Sequence, residues 1–196
     1  MPIVKLTSHN LDRQLTEIAG VILGGGVVLL PTDTIYGLSA LATNEGAVQR
    51  ILSLKRYSNN RPFICLINSL EMAENYAIIS AKCRKYLLAS WPGPVSVILP
   101  SRHRLPSIVS ANLPTIALRW PSLPWLEQLI GLVGQPIIST SANLTGEEPI
   151  TNITMVSHYF APDKLDLIVD GGRLNSHPSS LIDLTTKDFR AIRSGS

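Results

Sequence analysis

The sequence predicts an α/β fold: one domain over residues 1–196, with a central twisted mixed sheet flanked by helices. Two observations predict it. Short apolar runs suited to buried strands alternate with longer stretches whose apolar residues recur at three- and four-residue steps. Strand-like runs then crowd together near the C-terminal end, which favours a mixed sheet over a purely parallel one.

Leu11, Leu15, Ile18, Ile22 and Leu23 form one helical face, and Gly24-Gly25-Gly26 ends it. Val27 to Leu30 reads as a short buried strand, and 45–55 is helical with Val48, Ile51 and Leu52 on one side. "FICLI" (63–67) is a strand, 69–76 and 80–90 are helical, and "VSVIL" (95–99) is a strand after Pro92-Gly93-Pro94. "TIALRW" (115–120) alternates, with Ile116 and Leu118 on one face. Residues 122–133 suit a helix, "PIIS" (136–139) a strand, and 151–160 a helix capped by Thr151. "LIV", "SLIDL" and "FRAIR" complete a set of about eight strands.

With 45% hydrophobic and 16% charged residues, the chain can fill a core and is not of the disordered class. A net charge of +3 permits a phosphate-bearing ligand or RNA without requiring either. Cys65 and Cys83 have no metal-ligand spacing, so two buried free thiols in a reducing compartment are expected. The N-terminus shows no basic leader before an apolar core. The most apolar uncharged stretch, Ile18 to Pro31, holds four glycines and falls short of the ~20 residues that span a bilayer. A soluble, cytoplasmic protein without membrane contact is the expectation.

The polar clusters share a position. "PTDTIYG" follows the strand at 27–30, "STSANLTG" (139–146) follows 136–138, and Arg119 ends 115–118. Ligands of open α/β sheets collect at strand ends, so these three segments together predict one pocket. Thr32, Thr34 and Tyr36 would share a face of an extended chain, with Asp33 on the other. Ser139, Thr140, Ser141 and Asn143 supply neutral donors suited to phosphate or carboxylate oxygens, or else serve a capping turn. Lys55, Arg56 and Arg61 surround Tyr57, Asn59 and Asn60 in a loop able to clamp phosphates, or else complement the dipole at a helix C-terminus, the reading that suits Arg56 better.

Several kinds of machinery are absent from the sequence: a GxxxxGK[ST] loop, a GxGxxG fingerprint, a GxSxG elbow and any metal-ligand spacing among His9, His103, His158 and His177. Hydroxyls and cations without a covalent nucleophile point to catalysis by positioning and charge stabilisation.

In order, "PTDTIYGLSA", "SWPGPVSVILP", "TIALRWP", "PIISTSANLTG", "DGG" and "SSLIDLT…AIRSG" resemble the YrdC/TsaC-type threonylcarbamoyl-AMP synthases, in their single-domain form, over essentially the whole chain. The resemblance implies a sheet around a large, positively lined cavity. It also implies formation of threonylcarbamoyl-adenylate and pyrophosphate from L-threonine, bicarbonate and ATP, with Mg²⁺ on the phosphates. Downstream enzymes would pass the group to tRNA, and the resemblance admits contact with tRNA or double-stranded RNA.

By position, the resemblance assigns Thr32, Thr34, Tyr36, Arg119 and Ser139 to threonine. To ATP it assigns Lys55, Tyr57, Arg61, Thr115, Ser141, Asn143, Ser180 and Arg193. Lys55 and Arg61 are the candidate catalytic cations, Arg173 is a weaker candidate, and no residue is assigned to a metal. Tyr57 stands where the family's Lys-x-Arg-Pro loop has arginine, so Arg56 or Arg61 replaces that cation or phosphate binding is weakened. Two other readings compete: an RNA-binding protein, motivated by Arg102-His103-Arg104, and a catalytically silent nucleotide-binding paralogue.

Overall fold

The computed structural model describes residues 2–56, 61–144, 146–174 and 177–195. Its strands and helices run in the order β1 (Ile3–Lys5), α1 (Leu11–Leu23), β2 (Val28–Leu30), β3 (Gly37–Leu41), α2 (Glu45–Lys55) and β4 (Ile64–Leu66). Then follow α3 (Leu70–Tyr76), α4 (Ala81–Ser90), β5 (Val95–Pro100), β6 (Thr115–Arg119), α5 (Pro124–Val133) and β7 (Ile137–Ser141). Short helical turns lead to β8 (Leu167–Asp170), β9 (Ser180–Asp183) and β10 (Arg190–Arg193).

Local chemistry sets the helix ends. Asn44, Ser69 and Ser80 each accept a hydrogen bond from a first-turn backbone N–H, starting α2, α3 and α4. Pro124 opens α5, where its missing N–H costs nothing, and Gly134 closes it at φ +70°. The helix expected over 151–160 is instead a 3₁₀ turn and a short α-helix, capped by Asn152 rather than Thr151.

Among the described residues, ten strands form one sheet in the order β1-β8-β2-β3-β7-β4-β6-β5-β9-β10. Parallel and antiparallel pairs alternate irregularly, so the sheet is mixed as expected. The strands β1 and β3 are not among those expected from the sequence pattern. β3 begins inside the polar segment and is marked by small residues rather than by an apolar run.

Strand alternation sorts the two faces. Leu29, Leu38, Ala40, Cys65, Ile138, Leu118, Val97 and Leu99 point toward one core, which packs against Val48 and Ile51 of α2 and Leu87 of α4. Val28, Leu30, Leu41, Leu66 and Ile137 point the other way, against Leu15, Ile18 and Ile22 of α1 and Leu126, Leu129 and Ile130 of α5. Each of the Val, Leu and Ile side chains among them contributes about 1.5–3 kcal/mol by leaving water. Along β6, the residues that share this second face are Thr115, Ala117 and Arg119, and they line a cavity instead of a helix. The site therefore occupies the part of that face beyond the cover of α1 and α5.

Candidate active site

The cavity has a volume of about 460 Å³. Its floor is the sheet: Ser139 and Ser141 of β7, Ile64 and Leu66 of β4, Thr115, Ala117 and Arg119 of β6, Ile98 of β5 and Leu181 of β9. Register explains the grouping. Ile64 pairs with both Ala117 and Ser139, and Leu66 pairs with Arg119, so these side chains leave the sheet on one side. Loops supply the walls: Thr32, Thr34, Ile35 and Tyr36, Arg61 to Phe63, Leu113, Asn143, Pro149, Pro178 and Ser179.

The segment after β2 is a turn rather than an extended chain. Thr32 Oγ1 accepts from the backbone N–H groups of Thr34 and Ile35, both at 3.2 Å, and lies 2.9 Å from Thr34 Oγ1. This local bonding competes with strand pairing and curls the chain. Thr32, Thr34 and Tyr36 still reach the cavity, whereas Asp33 is not among its lining residues. Tyr36 lines the wall with its hydroxyl engaged, donating to Gly172 O at 2.8 Å and accepting from Gly171 N–H at 2.9 Å. Burial, with the nearby Asp170 charge, raises the phenol's pKa above its ordinary value despite the Gly171 N–H.

Gly37 starts β3 opposite Ser141 and close to Ser139. A Cβ at this position would collide with Ser139 Oγ. Only glycine lets β3 and the hydroxyl-bearing end of β7 approach this closely.

Arg119 is 4% exposed, and its guanidinium meets the turn. Nη1 donates to Thr34 Oγ1 at 2.9 Å, and Nη2 donates to the Asp33 carboxylate at 2.5 Å. Its Nε–H is buried without a hydrogen-bond partner. Arg119 lines the cavity, and a buried donor left without a partner beside it is suited to an anionic ligand.

Lys55, the last residue of α2, is 1% exposed and stands behind the wall rather than on it. Its Nζ donates to Ser141 O at 2.6 Å and to Asn143 Oδ1 at 2.5 Å, joining α2 to the end of β7. Burial, aided by the Arg61 cation, lowers its pKa to about 8. Arg61 and Arg193 both line the cavity, and burial together with the neighbouring Arg119 cation lowers the Arg193 pKa. Three arginines thus face the cavity, while no carboxylate is among its described lining residues. Cys65 is no nucleophile, since burial pushes its thiol up to about 12.

Most sequence-predicted residues converge: Thr32, Thr34, Tyr36, Arg61, Thr115, Arg119, Ser139, Ser141, Asn143 and Arg193 all line the cavity. Tyr57 lies outside the described residues, as do Asn59 and Asn60. Ser180 is displaced by one position. Ser179 lines the cavity, while Ser180 Oγ accepts from Gly195 N–H at 2.9 Å. Ser179 is held by Ser96 Oγ at 2.9 Å, and its carbonyl accepts from Arg193 Nε at 3.1 Å. Arg173 is exposed and is not a lining residue. His103 belongs to a separate hollow of about 250 Å³.

The apolar floor at Ile64, Leu66, Ala117, Ile98 and Leu181 is not among the sequence-predicted site residues. The available signal is the alternation of β6, which puts Ala117 between Thr115 and Arg119 on one face.

Residues 20–195 match the Sua5/YciO/YrdC family model, whose description is telomere recombination. The chain is 36% identical over 188 residues to the threonylcarbamoyl-AMP synthase of Pyrococcus abyssi, covering 93% of this chain and 54% of that protein. It is 32% identical over 191 residues to the threonylcarbamoyl-AMP synthase of Yersinia enterocolitica, covering 93% of this chain and 98% of that one. The crystal structure of P. abyssi Sua5 complexed with L-threonine matches with a TM-score of 0.90 at 33% identity, over 99% of this chain and 57% of that one. The chain therefore spans just over half of the Pyrococcus protein and nearly all of the Yersinia one. With most of its length matched and its cavity built on that shared sheet, the chain belongs to the Sua5/YciO/YrdC family.

Proposed function

We propose that this protein is a threonylcarbamoyl-AMP synthase, a nucleotidyltransferase that joins L-threonine, bicarbonate-derived CO₂ and ATP. The observation that carries the reading is a cavity lined by Arg61, Arg119 and Arg193, with no carboxylate among its described lining residues. Such a site suits two anions held side by side, and both relatives named above are synthases of this kind.

Threonine's amine attacks CO₂ and loses a proton, giving a carbamate. A carbamate oxygen then attacks the α-phosphorus of ATP, the bond to the β-phosphate oxygen breaks, and pyrophosphate leaves with the electron pair. The substrate supplies the nucleophile, so the protein's tasks are orientation and charge stabilisation. Arg119 takes the threonine carboxylate, with Thr32, Thr34, Tyr36 and Ser139 enclosing the rest of the amino acid. Thr115, Ser141, Asn143, Ser179 and Arg193 border the nucleotide. Arg61 faces the phosphates directly, and Lys55 serves through the Ser141–Asn143 segment that it holds.

Mg²⁺ has no carboxylate cage here: among the described residues no group of three or more His, Cys, Asp or Glu could hold an ion. Any Mg²⁺ would be held by the ATP phosphates, and no step above depends on it. The product is a reactive mixed anhydride, which calls for a transfer enzyme to consume it. A tRNA adenosine as final acceptor and a cytoplasmic location belong to the same proposal. No helix among the described residues is long and apolar enough to cross a membrane.

Pyrophosphate release by the purified protein tests the reading. Release is expected to require ATP, threonine and bicarbonate together. Release that persists without threonine would overturn it. Salt-sensitive RNA binding without turnover would favour the RNA-binding alternative, and nucleotide binding without turnover the silent paralogue.

A further inference from the structure

Asp33 does not line the cavity, yet it holds a residue that does. Its Oδ1 accepts from Arg119 Nη2, and the two side chains are only 11% and 5% exposed. Its Oδ2 accepts from the Ser122 backbone N–H at 3.1 Å, so the carboxylate is tied at both oxygens. The next residue, Thr34, accepts from Arg119 Nη1 at 2.9 Å. Both terminal nitrogens of the guanidinium are thus fixed by consecutive residues of one turn. Because the guanidinium is a rigid plane, fixing two nitrogens fixes the third, and that Nε–H has no partner.

We propose that Asp33 is a positioning residue for recognition of the amino-acid carboxylate: it pins the guanidinium of Arg119, so that the plane and its unpartnered Nε–H are already set beside the cavity when threonine arrives. This rests on the threonine reading above and adds to it the residue that sets the geometry of that contact.

Asp33 has two opposing effects. Its charge repels an incoming carboxylate. It also keeps a long side chain from other rotamers and offsets the repulsion between Arg119 and Arg193, which sense each other across the cavity. Geometry outweighs repulsion, because a charge-assisted hydrogen bond needs the guanidinium plane held in place before the ligand arrives.

Calorimetric binding of threonine and of ATP, which needs no turnover, tests the role. For Asp33→Ala the threonine Kd is expected to rise at least about tenfold, while the ATP Kd stays within about threefold. Asp33→Glu, which restores a carboxylate, is expected to recover most of that loss. Threonine binding that is unchanged or tighter in Asp33→Ala overturns the proposal, since repulsion would then dominate. An equal loss of ATP affinity also overturns it, because that marks a general disruption of the site. Should Asp33→Ala fail to fold, Asp33→Asn keeps the size and removes the ionic hold, and weaker threonine binding with intact ATP binding is again expected. Unmodified protein that binds no threonine overturns the threonine reading and this role together. If the unmodified protein binds threonine and the variants bind it equally well, only the role of Asp33 fails.

Discussion

The ammonium of Lys55 lies 2.5 Å from Asn143 Oδ1 and 2.6 Å from the Ser141 carbonyl, so the end of α2 is fastened to the end of β7 by one buried cation. A buried charge is tolerated only when it is paired or hydrogen-bonded, and here two acceptors of one loop meet that need. The same loop contributes Ser141 and Asn143 to the cavity, so a helix-terminal residue behind the wall sets the shape of its polar end.

Lys55→Met keeps the aliphatic stem and removes the ammonium. Two half-buried acceptors then lose a charged donor, at about 1.5–3 kcal/mol each. We expect kcat/KM for ATP to fall by about 100-fold or more in steady-state pyrophosphate release, while threonine affinity by calorimetry stays within about threefold.

The depressed Lys55 pKa gives a pH signature. Above about 8 the folded protein loses this proton, so kcat/KM for ATP is expected to fall about tenfold per pH unit there. Stability moves the other way. Between about 8 and the ordinary 10.5 the unfolded chain holds more protons at this amine, so this group's contribution to stability rises with pH. A pH–rate profile and thermal melts over the same window read both signs.

Arg119→Ala removes the cation assigned to the threonine carboxylate and leaves the half-buried Asp33 carboxylate with the Ser122 N–H but no cation. Threonine affinity is expected to fall by about 100-fold or more, and Arg119→Lys should not rescue it because lysine lacks the planar fork. Calorimetry checks this, and unchanged affinity rejects the assignment.

Gly37→Ala would drive a methyl group into Ser139 Oγ. Overpacking of this kind costs about 1–3 kcal/mol, seen as a lower Tm. Adding Ser139→Ala should return part of that loss, since the hydroxyl is the nearest atom to the new methyl group.

Ser179 and Ser180 separate by position. Ser179→Ala should raise the KM for ATP by several-fold, because Ser179 lines the cavity and its hydroxyl accepts from Arg193 Nη2 at 3.4 Å. Ser180→Ala should act mainly on stability, because its hydroxyl serves Gly195 N–H, and the loss of one hydrogen bond is worth about 1 kcal/mol. Paired kinetics and melts distinguish the two.

Much of the molecule is legible in the amino-acid order alone. The helices at 11–23 and 45–55 are readable because apolar spacing and terminal signals agree. β3 is not, because Gly37-Leu38-Ser39-Ala40-Leu41 is buried throughout by its neighbours rather than by its own hydrophobicity. The cavity residues Thr34, Arg119 and Ser141 are readable as polar groups at strand ends. Ser179 is not distinguishable from Ser180 by pattern, because a one-residue offset on a short strand entry decides which of the two lines the cavity.

By itself the sequence determined the α/β class, the main helices, the polar strand ends and the resemblance that names the chemistry. All of these are local patterns or ordered motifs, carried by near neighbours along the chain. Only the tertiary structure decided that Asp33 holds Arg119, that Lys55 braces Ser141 and Asn143, and that the free face of β6 opens into the cavity. Those side-chain contacts join residues 86 and 88 positions apart, and they depend on strand order and register, which no local periodicity encodes.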